Sequence, residues 1–375
     1  MKIYFKLDKG YKKFSDFIKI DWCLTLLLIM ICAQGLIVLY SASGKNTDLM
    51  LSQMRSLALG FSCMIIAAQF NPRLWLGFVP VFYLLGVMLL VMVDITGHNA
   101  MGATRWINVA GIMRFQPAEF MKVIMPAIVA WYLSRRALPP LFKDIIVVLI
   151  LISIPVILVI RQPDLGTSLL ILAAGIFVLF VAGLNWYFIG ISVLCAIPGV
   201  IGMWHFVMHD YQKRRVLTFL NPESDPLGAG WNIIQSKTAI GSGGIWGKGY
   251  LNGTQSHLDF LPESHTDFIV AVLGEEFGLV GMTTLVVLYL LVIWRCLVIA
   301  GNTHHLFGKL LASGLTLTFF IYIFVNIGMV SGLLPVVGVP LPFISYGGTH
   351  LVTLLIGFGL IMAVYSYGNE LSSDA

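Results

Sequence analysis

Gln235-Ser-Lys-Thr-Ala-Ile-Gly-Ser-Gly-Gly-Ile-Trp-Gly-Lys-Gly-Tyr250 continues through Gly253-Thr-Gln-Ser256 to Phe260-Leu-Pro-Glu-Ser-His-Thr-Asp267. Glycines, hydroxyls, amides and charges crowd together here, and an unbroken apolar run begins at Phe268. The junction places a polar loop against a hydrophobic helix that starts at Asp267. Gly241, Gly243, Gly244, Gly247 and Gly249 let the backbone bend where a side chain would clash. They also let backbone N–H groups converge on an anion. Lys237 and Lys248 add positive charge. The expectation is an anionic ligand held beside the Asp267 carboxylate at a membrane surface.

Outward from this loop, apolar runs dominate. The 375 residues are 58% hydrophobic and only 11% charged, with mean hydropathy +0.90. That excludes a soluble globule, which needs more polar surface. Long continuous runs, rather than short alternating ones, exclude a transmembrane β-barrel. A spanning helix needs about 20 apolar residues. The runs predict about ten: 21–42, 52–70, 74–94, 117–134, 144–161, 165–183, 186–207, 267–296, 307–330 and 347–367. The fold class is therefore an all-α polytopic membrane protein. It forms one domain over 1–375, with a large loop, 208–266, between spans seven and eight.

The lysine-rich N-terminus is followed by a run, Trp22 to Tyr40, longer than a signal-peptide core. It reads as an uncleaved first span. Arg73, Arg135, Arg136, Lys143, Arg295 and Lys309 alternate to one side, which the positive-inside rule makes cytoplasmic, with both termini there. Loops 95–116, 208–266 and 331–346 then face outward. Arg105, Arg114, Lys213, Arg214 and Arg215 lie in the first two, against the rule, and a pyrophosphate would explain them. Val207–Phe219 and Trp231–Ile240 can form amphipathic helices along the bilayer, with Trp204, Trp231 and Trp246 suited to its interface. The five cysteines sit in or beside apolar runs without a CxxC pair, so they read as buried small hydrophobes. The histidines lack metal-ligand spacing.

Several motifs occur in order along nearly the whole chain. They are Ser41-Ala-Ser-Gly44, Arg114-Phe-Gln-Pro-Ala-Glu119, Gln162-Pro-Asp-Leu-Gly-Thr-Ser168, Asn221-Pro-Glu-Ser-Asp-Pro-Leu-Gly-Ala-Gly230, Gln235-Ser-Lys237, Ile240-Gly-Ser-Gly-Gly244, Gly253-Thr-Gln-Ser256, Leu261-Pro-Glu-Ser-His-Thr-Asp-Phe268 and Pro340-Leu-Pro-Phe-Ile-Ser-Tyr-Gly-Gly348. Together they resemble the SEDS family of shape, elongation, division and sporulation proteins. The forms at 240–244 and 253–256 resemble the cell-elongation branch. The resemblance implies a peptidoglycan glycosyltransferase of the bacterial cytoplasmic (inner) membrane, active on its outer face. Lipid II would be donor and acceptor, and undecaprenyl pyrophosphate would be released. Implied partners are a class B penicillin-binding transpeptidase, the elongation machinery and membrane lipids, with no nucleic acid. The other functional classes are a lipid II flippase and a non-catalytic scaffold of the wall-synthesis complex.

The resemblance implies a catalytic role for Asp267. Polymerisation joins a sugar 4-hydroxyl to an anomeric carbon, and the hydroxyl needs a base within hydrogen-bond reach. The pyrophosphate leaving group calls for cations instead, so a pair of carboxylates is not required. Nearby lysines and a helix N-terminus would weaken Asp267 as a base. Holding a divalent cation, Mg²⁺ or Mn²⁺, shared with the pyrophosphate would be a second role. No organic cofactor is implied. The alternative is structural: Ser264 and Asp267 have the spacing of a helix cap. The candidate substrate contacts are Lys237, Lys248, Arg114, Glu119, Lys122 and His265.

Glu119 and Lys122, three apart behind Pro117, share one face of span four. They form either a buried ion pair or the lining of a polar cavity reaching Asp267. Glu275 and Glu276 lie about 12 Å deeper than Asp267 and are expected to neutralise Lys122 or another buried cation. Arg161 and Asp164 suggest an ion pair at a tight turn. The prolines and glycines of 331–348 suggest either a plain stiff turn or a re-entrant loop packed near the catalytic one.

Overall fold

The computed structural model describes residues 19–96, 98–100, 103–109, 113–221, 229–257 and 264–367. Ten helices cross back and forth in sequence: α1 (Trp22–Ala42), α2 (Thr47–Gln69), α3 (Pro72–Thr96), α4 (Pro117–Leu133), α5 (Phe142–Arg161), α6 (Leu165–Val181), α7 (Trp186–Gly202), α11 (Ile269–Gly301), α12 (Leu306–Val330) and α13 (Gly348–Tyr367). Between α7 and α11 lie α8 (Asp210–Leu220), α9 (Ala229–Ser242) and the single turn α10 (Thr254–His257). Seven of the crossing helices are long and apolar enough to span a membrane. The other three, α4, α6 and α7, have 17 residues each. The polytopic helical expectation holds.

Local sequence starts these helices where it should. The side chains of Asp21, Asn46, Asp164 and Asn185 accept backbone N–H groups in the first turns of α1, α2, α6 and α7. Asp164 thus caps α6, taking Thr167 N and Oγ1 at 3.1 and 2.9 Å. Pro117 occupies the first turn of α4, where no N–H partner is needed. The expected amphipathic segments at 207–219 and 231–240 are α8 and α9. Between α3 and α4 the chain forms a three-stranded antiparallel meander: β1 (His98–Ala100), β2 (Ala103–Val109) and β3 (Met113–Phe115).

Small residues let the spans approach closely, as apolar helices in lipid require. A Cβ on Gly60 of α2 would meet Leu355 of α13 at 2.5 Å, and one on Gly359 would meet the Met64 carbonyl at 2.5 Å. Lys19 and Tyr367, the first and last described residues, lie on one face. Lys19 N there donates to Gln69 Oε1 at 3.2 Å, Tyr367 donates to Gln69 O at 2.8 Å, and Arg295 pairs with Asp21.

Helix α11 has 33 residues, about 50 Å against a hydrocarbon core of about 30 Å. Its excess stands on the face opposite Lys19 and Tyr367. Ile269–Glu276 are all buried, whereas Leu279 and Val280 are exposed apolar residues. Between them Gly278, at φ 60 and ψ −154, breaks the helix. The expectation of one span over 267–296 is therefore refined. Residues 269–277 form a helix buried in protein, and the exposed apolar part begins at Leu279.

Candidate active site

Asp267 lies in a turn, residues 264–268, that leads into α11. Phe268 is the N-cap of α11 and makes no side-chain cap. The Ser264 hydroxyl does not serve α11 either, and donates instead to the Ala42 carbonyl at 3.1 Å. The turn is held by its backbone. His265 O accepts from Tyr346 N at 3.0 Å, Thr266 O from Ser345 Oγ at 2.6 Å, and Asp267 O from Asn326 Nδ2 at 3.1 Å. Gly338, at φ +71, lies over the carboxylate: a Cβ there would be 3.4 Å from Asp267 Oδ2. The 331–347 loop therefore packs directly on the Asp267 turn. Gln53 of α2 anchors it through Ser345 O and Gly347 N at 3.1 and 3.3 Å, and Tyr289 through Pro342 O at 2.6 Å. His265 and Asp267 are both half-buried.

The glycine-rich stretch does a different job from the one its composition suggests. It lies against the broken segment of α11. Lys248 N and Gly249 N donate to Glu275 O and Glu276 O at 2.9 and 3.1 Å. In return Leu279 N and Val280 N donate to Gly244 O and Ile245 O at 2.9 and 3.1 Å. A Cβ on Gly243 would sit 2.0 Å from the Gly274 carbonyl, and one on Gly247 2.1 Å from that of Glu276. These glycines permit backbone-to-backbone docking, and their N–H groups at 247–249 are spent on carbonyls.

Lys248 follows the same logic. Its ammonium bonds Glu275 Oε1 at 2.7 Å and Thr254 Oγ1 at 2.8 Å. Glu275, fully buried, also accepts from Thr254 N, Thr254 Oγ1 and Gln255 N. The expected cation for Glu275 is thus Lys248, not Lys122. Glu276 turns the other way and accepts from Ser41 Oγ. Lys237, exposed, lies over Gly332 just past the C-terminal end of α12, where the helix dipole favours a cation.

Glu119 and Lys122 form the buried pair, Oε1 to Nζ at 2.7 Å. A third member was not foreseen: His350 Nδ1 lies 2.9 Å from Glu119 Oε2. Lys122 Nζ also stands 4.9 Å from the Tyr322 ring centroid. Glu119 and Lys122 also line a narrow, mostly apolar cavity, with Thr318, Phe319, Thr353 and Phe358 among its walls. Tyr322 and Asn326 are four apart on α12, so the charged cluster lies one helical turn from the Asp267 clamp. Nothing in the sequence marked His350, Asn326 or Ser345 individually, although Ser345 lies in the 340–348 motif. Their partners are 231, 59 and 79 residues away.

Arg114 lies on β3, and its side chain falls outside the described residues, as does Glu263. No three His, Cys, Asp or Glu converge among the described residues. A Mg²⁺ ion held by one carboxylate and substrate phosphates needs no such cluster. Asp267 fits that arrangement.

The family model described as "Cell cycle protein", for FtsW, RodA and SpoVE, matches residues 19–370. The chain is 49% identical over 363 residues to the peptidoglycan glycosyltransferase MrdB of Escherichia coli K12, covering 97% of this chain and 98% of that one. It is 35% identical to a probable peptidoglycan glycosyltransferase FtsW of Trichlorobacter lovleyi, covering 92% of each. Among solved structures, a peptidoglycan synthase complex that coordinates polymerization and crosslinking contains a chain with TM-score 0.80 and 31% identity. That match covers 92% of this chain and 97% of the other. The rod shape determining protein RodA of Thermus thermophilus superposes with TM-score 0.71 at 28% identity, covering 93% and 97%.

Proposed function

This chain belongs to the cell cycle protein family of FtsW, RodA and SpoVE, and from that membership we propose that it polymerises lipid II during cell elongation. It is a peptidoglycan glycosyltransferase. The face carrying the Asp267 turn is the extracytoplasmic face of the cytoplasmic membrane, and both termini are cytoplasmic. Basic residues at the opposite helix ends, Arg73, Arg135, Arg136, Arg295 and Lys309, support that orientation. A class B penicillin-binding transpeptidase is the partner that would cross-link the product.

One observation carries the chemical reading: a half-buried carboxylate on a turn whose three successive carbonyls are all fixed. Asp267 takes the proton from the acceptor 4-hydroxyl as its oxygen bonds to the donor anomeric carbon. The bond from that carbon to the pyrophosphate oxygen breaks, and undecaprenyl pyrophosphate leaves with the electron pair. A preoriented base supplies the positional advantage this step needs. Lys237, exposed on the same face, and Arg114 are the cations offered to the pyrophosphate, and His265 is a sugar contact. A bound Mg²⁺ or Mn²⁺ would supply charge neutralisation between Asp267 and the pyrophosphate. Lys248 and the Glu119–Lys122 pair are assigned to the framework, since each is paired within the protein.

The test is lipid II polymerisation by purified protein in detergent, where there are no leaflets for a flippase to cross. The parent should lengthen glycan chains. Asp267→Asn, nearly isosteric, should fold, insert and bind its transpeptidase while making none. Substantial polymerisation by a folded Asp267→Asn protein would send the search for the base elsewhere.

A further inference from the structure

Asn326 is fully buried on α12. Its amide nitrogen donates twice, to Asp267 O at 3.1 Å and to Val339 O at 2.7 Å. Its Oδ1 has no partner. A buried amide with an unsatisfied oxygen is unfavourable by itself, so both donors must act where they are. They join two chain segments that have no covalent reason to meet: the Asp267 turn and the 338–339 turn that covers its carboxylate. Ser345 repeats the arrangement one residue earlier. Its hydroxyl donates to Thr266 O at 2.6 Å and accepts from Leu341 N at 2.8 Å. Each side chain thus staples the Asp267 turn to the 338–345 loop, and each does so through the backbone rather than the carboxylate.

We propose that Asn326 and Ser345 are positioning residues for Asp267, setting the height and direction of its carboxylate under Gly338 without touching substrate. The proposal rests on the reading of Asp267 as the base. Asn326 has little rotational freedom, because an amide flip would turn its oxygen toward two carbonyl oxygens. The turn is therefore held in one place before substrate arrives. A base displaced by about 1 Å loses on the order of 100-fold in rate, whereas binding of the lipid and sugars elsewhere is unaffected.

The experiment is steady-state lipid II polymerisation by full-length Asn326→Ala, Asn326→Asp and Ser345→Ala proteins, with thermal unfolding in detergent measured on each. Folded Asn326→Ala should lose about 10- to 100-fold in kcat with KM within about twofold. Ser345→Ala, the milder change, should lose about tenfold in the same parameter. Asn326→Asp presents a carboxylate to two carbonyl oxygens and should be the most impaired at neutral pH. Its rate relative to the parent should recover as pH falls, because the protonated acid regains one donor. An unchanged kcat in folded Asn326→Ala overturns the proposal, as does a raised KM with kcat intact. Should Asn326→Ala fail to fold, an unchanged kcat in Ser345→Ala overturns it alone. If Asp267→Asn polymerises lipid II, the base assignment fails and this proposal with it. If Asp267→Asn is dead and the positioning variants are normal, only the positioning role fails.

Discussion

Lys248 shows how a residue's partner changes its meaning. As a cation in a glycine loop it reads as a phosphate ligand, yet its ammonium is bonded to Glu275. Lys248→Ala would leave a fully buried carboxylate with only the Thr254 and Gln255 donors. A loss of about 2 kcal/mol of stability is expected, read as a lower unfolding midpoint in detergent, with activity falling in step. Lys237→Ala, exposed over a helix terminus, should shift stability by less than about 1 kcal/mol. Asp267, Glu119 and Lys122 were legible in the sequence because a charge beside an apolar run is conspicuous. Asn326, Ser345 and His350 were not, since a polar residue in a helix or motif does not say which distant carbonyl or carboxylate it meets.

The elements divide in the same way. Seven spans are long and apolar enough to be read from run length alone, because lipid-facing helices must be apolar for about 20 residues. The end of the eighth predicted span could not be placed, because an apolar run reports burial and not whether lipid or protein does the burying. Ile269–Glu276 are buried, with α9 and the glycine loop packed against the segment, so their apolar run reflects protein contact. The break at Gly278 and the bend at Gly247 belong together. A Cβ on Gly278 would lie 2.4 Å from Gly247 N, and one on Gly247 2.4 Å from the Glu276 carbonyl carbon. Gly247 is also at φ +80. Gly247→Ala should therefore undock the loop from α11, with a destabilisation of about 2–4 kcal/mol. The check is faster deuterium uptake at 244–249 and 278–280, where the exchanged hydrogen bonds lie. Parental uptake rates there would show that the loop tolerates the methyl group. The meander before α4 escaped a helix-by-helix reading because its strands have only 3, 7 and 3 residues.

Across the whole molecule, α12 and α13 tie the two polar centres together. Asn326 and Tyr322 carry α12 from the Asp267 turn to Lys122, and the 331–347 loop that covers Asp267 continues into His350. The break in α11 adds a vertical dimension. From Ile269 to Gly278 the helix rises roughly 13 Å, and the exposed apolar residues of α11 begin only below the break. Trp246, strongly exposed, marks nearly the same level, since its neighbour Ile245 bonds Val280. The carboxylate is therefore mounted on a pedestal. On the proposed reading of Asp267 as the base, the pedestal would act as a ruler, setting the level at which a lipid-tethered sugar is joined and hence the plane in which the strand is laid down.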